Sequence, residues 1–115
     1  MGDCLFCKIA NKEIPSTIVY EDDEVIAFKD INPAAPVHIL VIPKKHMDSI
    51  KDMKKEDEAL IGRIYSIINK IAEEQGVSES GYRVITNSGK DSGQEVMHLH
   101  FHLIAGKELG TKICN

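Results

Sequence analysis

The chain has 115 residues, 43% of them hydrophobic and 28% charged, with a formal net charge of -4. That length suits one compact domain able to fold without disulfides, and is too short for two ordinary ones. The acidic balance and the lack of a basic tract argue against a nucleic-acid partner, and no apolar run is long enough to span a bilayer.

The N-terminal stretch MGDCLFCKIANKEIP carries an acid and lacks the apolar core of a signal peptide, so the expected compartment is the cytoplasm. The three cysteines, Cys4, Cys7 and Cys114, cannot all pair within one chain, which fits a reducing environment. The same stretch predicts a short helix, CLFCKIANKEI, with Asp3 placed to cap it and Pro15 beyond its end. STIVYEDDEVIAFKDI reads as a hairpin: Ile18 to Tyr20, a charged tip at Asp22 and Asp23, and Val25 to Phe28 returning. NPAAP is a turn, and VHILVIP is a third strand closed by Pro43. On that strand His38, Leu40 and Ile42 share one face, while Ile39 and Val41 share the other.

KKEDEALIGRIYSIINKIAEEQG predicts one long helix. Leu60, Ile61, Ile64, Ile67, Ile68 and Ile71 recur at the three- and four-residue spacing of a single apolar stripe. Acids gather at its start, and Gly76 suits its end. Two strands follow, YRVITN and VMHLHFHLIA, separated by the Gly- and Ser-rich loop SGKDSGQE. The order β-β-β-α-β-β with a small leading helix predicts an α+β domain: an antiparallel sheet of five strands covered by a long helix.

Three of the five histidines fall in the last strand, at positions 98, 100 and 102. Alternate side chains of a strand share a face about 6.6 Å apart, so His98, His100 and His102 line one side. Leu99, Phe101 and Leu103 line the other, facing the long helix. Core packing needs only the apolar set. Three readings of the imidazole face compete: a solvated sheet face, a metal site, or nucleophilic catalysis. Neutral imidazole offers a lone pair without an activating base, and clustered imidazoles resist joint protonation. One histidine could then attack phosphorus while a neighbour orients it or moves a proton.

The run His98-Leu99-His100-Phe101-His102-Leu103-Ile104 resembles the histidine triad signature, His-x-His-x-His-x-x with x apolar, at every position. CLFCKI, IPSTIVYEDDEVIAFKDINPAAPVHILVIPKKH, GYRVITNSG, SGQEV and LIAG also resemble, in order, segments of the Hint-like nucleotide-binding branch of that family. The resemblance covers nearly the whole chain and implies a single histidine triad (HIT) domain over 1–115. It implies hydrolysis of bonds to the α-phosphate of nucleotides, above all nucleoside phosphoramidates such as an adenylate joined to an amine, through a nucleotidyl-histidine. It places the nucleophile at His100 and a phosphate contact at His102, with His98 and His38 orienting His100. For the nucleotide it implies Asp30 at the ribose hydroxyls and Phe6, Ile9, Phe28 and Ile31 around the base, with Leu5 and Val25 or Ile26 at the edges. Phosphate donors would come from Asn87, Gly93, Gln94, Glu95 and Val96, where glycines let backbone N–H groups approach an anion. Many relatives carry Ser at the position of Glu95; a carboxylate pointing inward there would repel phosphate.

Cys4 and Cys7 form C-x-x-C, which admits zinc ligation, a redox pair or no role. No strand precedes Cys4, as a thioredoxin-like motif would require, and two thiolates alone cannot fill a tetrahedral site. The resemblance adds His46 of PKKH and His98, implying a structural zinc and no organic cofactor. It also implies a homodimer that binds purine nucleotides, AMP or GMP and their phosphoramidates, with no nucleic-acid or membrane partner. The tail KELGTKICN would lie near the partner's active site. Two other functions stay open: hydrolysis of dinucleoside polyphosphates, and a nucleotide- or metal-binding regulatory module with little turnover.

Overall fold

A computed structural model describes residues 4–113, so Asp3 and Cys114 lie outside the described residues. The elements run α1 (Leu5–Ala10), β1 (Ile18–Glu21), β2 (Val25–Lys29), β3 (Val37–Pro43), α2 (Glu58–Glu74), β4 (Tyr82–Ile85) and β5 (Phe101–Ala105). Short 3-10 turns cover Ile50–Asp52, Lys55–Asp57 and Lys90–Ser92. The five strands form one antiparallel sheet in the order β1-β2-β3-β5-β4. This is the expected α+β arrangement. Among the described residues no helix is long and apolar enough to cross a membrane.

The sheet is apolar on both faces, as the near-continuous hydrophobic run of β3 requires. On one face Val25, Ala27, Ile39, Val41, Leu99, Phe101 and Leu103 meet Ile64, Ile67, Ile68 and Ile71 of α2. On the other, Ile26, Phe28, Leu40 and Ile42 meet Phe6 and Ile9 of α1. Period-2 alternation thus assigns each strand residue to a helix: odd positions of β3 to α2, even ones to α1. Gly76 ends α2 in a left-handed conformation (φ 74°), which lets the Val77 N–H reach back to Ala72 O at 3.0 Å.

Four elements are shorter than predicted; among them α2 starts at Glu58 behind the Lys55–Asp57 turn, and β4 ends at Ile85. The leading helix stops at Ala10, and its cap is Cys4, whose Sγ accepts the Cys7 N–H at 3.3 Å. The last strand starts at Phe101, not near Val96. Its partner β3 ends at Pro43, which has no N–H to continue the ladder, and the last β3–β5 pair is Val41 with Phe101. Residues ahead of Phe101 hydrogen-bond elsewhere: Leu99 N–H to Met47 O at 2.7 Å and His98 N–H to Val96 O at 2.9 Å. The alternation of sides survives, with Leu99 and Phe101 both in the α2 core.

Candidate active site

β3 and β5 bring His38 and His102 together across the sheet. Leu40 pairs with His102 and His38 with Ile104, which leaves the two imidazoles on one face. His38 Nε2 lies 2.9 Å from His102 Nδ1, and the His100 and His102 ring centres are 5.1 Å apart. Phe6 of α1 stands edge-on to His100 at 5.0 Å and to Phe28 at 5.5 Å. His98, His100 and His38 are buried.

Backbone groups settle which ring nitrogen carries the proton. A carbonyl only accepts, so the 2.7 Å contact of His100 Nδ1 with His98 O puts the proton on Nδ1 and the lone pair on Nε2. An amide only donates, so the Ala34 N–H at 2.9 Å from His38 Nδ1 puts the His38 proton on Nε2. That proton faces His102 Nδ1 at 2.9 Å and Asp30 Oδ2 at 3.4 Å. His102 Nδ1 is therefore an acceptor, and its own proton sits on Nε2. Among the described residues neither His100 Nε2 nor His102 Nε2 has a protein partner, so one lone pair and one N–H remain for a ligand. Burial pushes His100 below the ordinary imidazole value of 6.5. Burial, reinforced by His100 and His38, pushes His102 down to about 4. Both rings are neutral at pH 7, the form the tautomer argument requires.

The residues expected around a nucleotide fall into three groups. Phe6, Ile9 and Phe28 share one buried cluster with Ile26, Leu40 and Ile42. Ile26 faces this cluster, whereas Val25 faces α2. Ile31 stands apart from it at 88% exposed, and Leu5 is also exposed. Asp30 keeps Oδ2 near His38 while Oδ1 accepts the Asn32 N–H at 2.8 Å. Residues 87–96 hold the rest. The Gln94 side chain is buried; its amide donates to Asp48 O at 2.6 Å and Val96 O at 3.0 Å, and its Oε1 accepts the Gly89 N–H at 2.9 Å. Gln94 therefore latches the loop, leaving its side chain no spare hydrogen. Gly93 takes a left-handed conformation (φ 87°), and Asn87 is half-buried. Glu95 is exposed and lines a cleft of about 430 Å³ with Cys4, Leu5, His46, Asp48, Val96 and Met97.

That cleft borders a second cluster. One donor atom each from Cys4, Cys7, His46 and His98 lie within 4.8 Å of one another. His98 Nδ1 is 3.3 Å from Cys4 Sγ and 3.2 Å from His46 Nδ1, and His46 Nδ1 is 3.3 Å from Cys7 Sγ. Both histidines are oriented from behind. His98 Nε2 donates to Pro43 O at 2.8 Å, and His46 Nε2 donates to Asp48 Oδ1 at 2.8 Å. With the Nε2 proton so placed, a neutral ring at either position would point its lone pair inward, so two nitrogen acceptors and two sulfurs could converge on one point. Burial, and after it the neighbouring Cys4, pushes the Cys7 thiol up to about 11. A dication at the centre reverses that preference, since metal-bound thiols ionise. The donor set, two sulfurs and two nitrogens with outer partners fixing the rings, fits tetrahedral zinc.

The orienting groups were not legible in the sequence: Ala34 N–H, Pro43 O and His98 O are backbone atoms and carry no residue-type signal. Asp48 had one, an acid two residues after His46.

The HIT domain family model matches residues 11–109. The chain is 46% identical over 113 residues to the purine nucleoside phosphoramidase of Escherichia coli (strain K12), covering 98% of this chain and 95% of that one. Among solved structures it is similar to a histidine triad protein from Clostridium difficile (TM-score 0.95, 57% identity, 98% of each chain). It is also similar to a HIT family hydrolase from Clostridium thermocellum (TM-score 0.96, 51% identity, 98% of each chain).

Proposed function

This chain belongs to the HIT family, and from that premise we propose that it hydrolyses nucleoside phosphoramidates by way of a nucleotidyl group on His100. The observation that carries the reading is the pairing of an inward Nδ1–H with an unpartnered Nε2 lone pair on a neutral, buried His100. An uncharged nucleophile avoids bringing an anion toward an anionic phosphate. In this reading Nε2 attacks the α-phosphorus, the phosphorus–nitrogen bond to the amine breaks, and the amine departs with a proton taken from solvent, which the later attack of water releases again. Water then cleaves the phosphorus–Nε2 bond and restores His100. His102 Nε2–H, held outward by the His38 relay, donates to a phosphate oxygen as charge builds there.

Asp30 accepts from the ribose hydroxyls, and Phe6, Ile9 and Phe28 supply the apolar wall for the base. Ile31 covers the base only from its exposed position. Glu95 and Val96 offer backbone N–H groups to the phosphate, Asn87 its side chain, and Gln94 the loop shape; the Gly93 N–H is taken by Lys90 O at 3.0 Å, so Gly93 serves through its left-handed turn. The exposed Glu95 carboxylate supports a backbone role at that position. The purine preference rests on the E. coli relative. Cys4, Cys7, His46 and His98 hold a structural zinc: four protein ligands leave no open position for activating water. Residues 1–115 act as one HIT domain in the cytoplasm, and two copies pair as a homodimer.

His100→Ala should lower kcat by several orders of magnitude while leaving AMP affinity little changed, because the other nucleotide contacts remain. Mass spectrometry of quenched wild-type turnover should find a nucleotidyl group on the peptide containing HLHFH. Near wild-type turnover by His100→Ala would sink the mechanism and favour a binding module.

A further inference from the structure

His98 takes part in two constellations at once. Its Nδ1 lies 3.3 Å from Cys4 Sγ, 3.5 Å from Cys7 Sγ and 3.2 Å from His46 Nδ1. Its backbone carbonyl accepts the His100 Nδ1–H at 2.7 Å, the contact that leaves the His100 lone pair on Nε2. The stretch carrying that carbonyl lies outside the sheet ladder, because β5 begins only at Phe101. Ladder hydrogen bonds therefore do not fix it. Of its backbone bonds, His98 N–H to Val96 O is local and places nothing relative to the sheet. A second, Leu99 N–H to Met47 O at 2.7 Å, runs to the residue next to His46, and a third, from Thr86 Oγ1 to His100 O at 3.0 Å, reaches the segment after β4. The carbonyl is thus gripped from both sides by the Cys–His cluster: through its own ring, and through the segment that carries His46. Only the bond from His98 Nε2 to Pro43 O ties it directly to β3.

We infer that the metal held by Cys4, Cys7, His46 and His98 orients the nucleophile, by fixing the His98 carbonyl against the His100 Nδ1–H. The inference rests on the zinc reading above and adds a catalytic consequence to a structural site. His98 is a positioning residue in this scheme. An imidazole whose Nδ1–H has lost its carbonyl can exchange tautomers and rotate about χ2, presenting a protonated nitrogen to phosphorus. Part of the nucleotide site lies apart from the cluster: Asp30 follows β2, His102 sits in β5 and Phe28 sits in β2, whereas Phe6 stands between Cys4 and Cys7 and the Glu95 and Val96 backbone leads into His98. Removing the metal should therefore impair the chemical step more than nucleotide binding.

The test uses untagged full-length protein in three states: as purified, stripped with a chelator, and reloaded with zinc. Each is assayed for zinc content, for AMP affinity by calorimetry, for turnover of an adenosine phosphoramidate, and for imidazole tautomers by long-range 1H–15N spectra. Stripping should lower kcat by roughly 10- to 100-fold, the scale of a small misplacement of a reacting group. AMP affinity should fall by a smaller factor, about threefold or less. The His100 signals should pass from a single Nδ1–H tautomer to an averaged pattern, and zinc should restore the original. Cys7→Ser should behave like stripped protein, since the helix cap uses the Cys7 backbone N–H and not its thiol. Zinc lost with kcat and the His100 spectrum unchanged would overturn the coupling and leave the zinc site standing. Protein that takes up no zinc would overturn both. AMP binding lost in step with kcat would mark general unfolding and overturn the coupling as well. Zinc-loaded protein that binds AMP without turnover would strike the phosphoramidase reading itself.

Discussion

His100 and His102 each give one nitrogen to the protein and keep one free; the His98 carbonyl sets His100 directly, and the Ala34 N–H sets His102 through His38. The acid limb of the pH–rate profile follows from this. Protonation of His100 removes the attacking lone pair, and protonation of His102 Nδ1 breaks the relay from His38. Because burial lowers both values beneath the ordinary 6.5, activity should persist as pH falls past that point. The kcat/KM profile reports free-enzyme ionisations, so its acid limb should fall below pH 6.5. A midpoint at or above 6.5 would show that the rings are not desolvated as described.

At the scale of elements, Asp22 joins the β1–β2 turn to α2. Its Oδ1 accepts the N–H groups of Glu24 (2.7 Å) and Val25 (2.9 Å), while Oδ2 accepts from Tyr20 Oη (2.6 Å) and Arg63 (2.5 Å). Burial alone would raise its pKa, but these donors outweigh that and hold the carboxyl well below the usual range. A depressed carboxylate contributes stability that is full above the unfolded value near 3.8 and is lost as pH falls toward the folded value. Asp22→Asn should therefore be destabilised at pH 7, and its gap to wild type in urea unfolding should narrow below about pH 4. A gap that widens on acidification would contradict this origin. The β5 exit gives a steric counterpart. Gly106 has φ 94°, and a Cβ there would sit 2.9 Å from Pro36 Cβ. Gly106→Ala should cost about 1–3 kcal/mol and lower Tm by several degrees. Gly62 lies inside α2, where an added methyl would meet nothing within 4 Å; Gly62→Ala should instead gain up to about 1 kcal/mol. Equal effects at the two glycines would show that neither strain nor contact distinguishes them.

The whole molecule presents two sheet edges, β1 and β4. All four β4 residues are half-buried within one chain, and an open edge of this kind invites pairing with another copy. Light scattering at micromolar concentration should give twice the chain mass; a monomer would remove the proposed homodimer.

Local periodicity was enough to establish the element order, the assignment of strand residues to the two faces, and the clustering of histidines opposite a leucine and phenylalanine row. A strand or helix must obey its period wherever it sits, so these features can be read along the chain. The family resemblance likewise pointed to both histidine constellations. Everything else depended on which distant segments meet. Cys4 meets His98 across 94 positions, a proximity that no spacing encodes. The start of β5 was set by a proline on the neighbouring strand. Gln94 became a latch and Ile31 an exposed side chain, outcomes that depend on which surfaces the loops cover. The proton positions came from Ala34 N–H, Pro43 O and His98 O, because every residue carries the same backbone groups and only the fold chooses which of them face an imidazole.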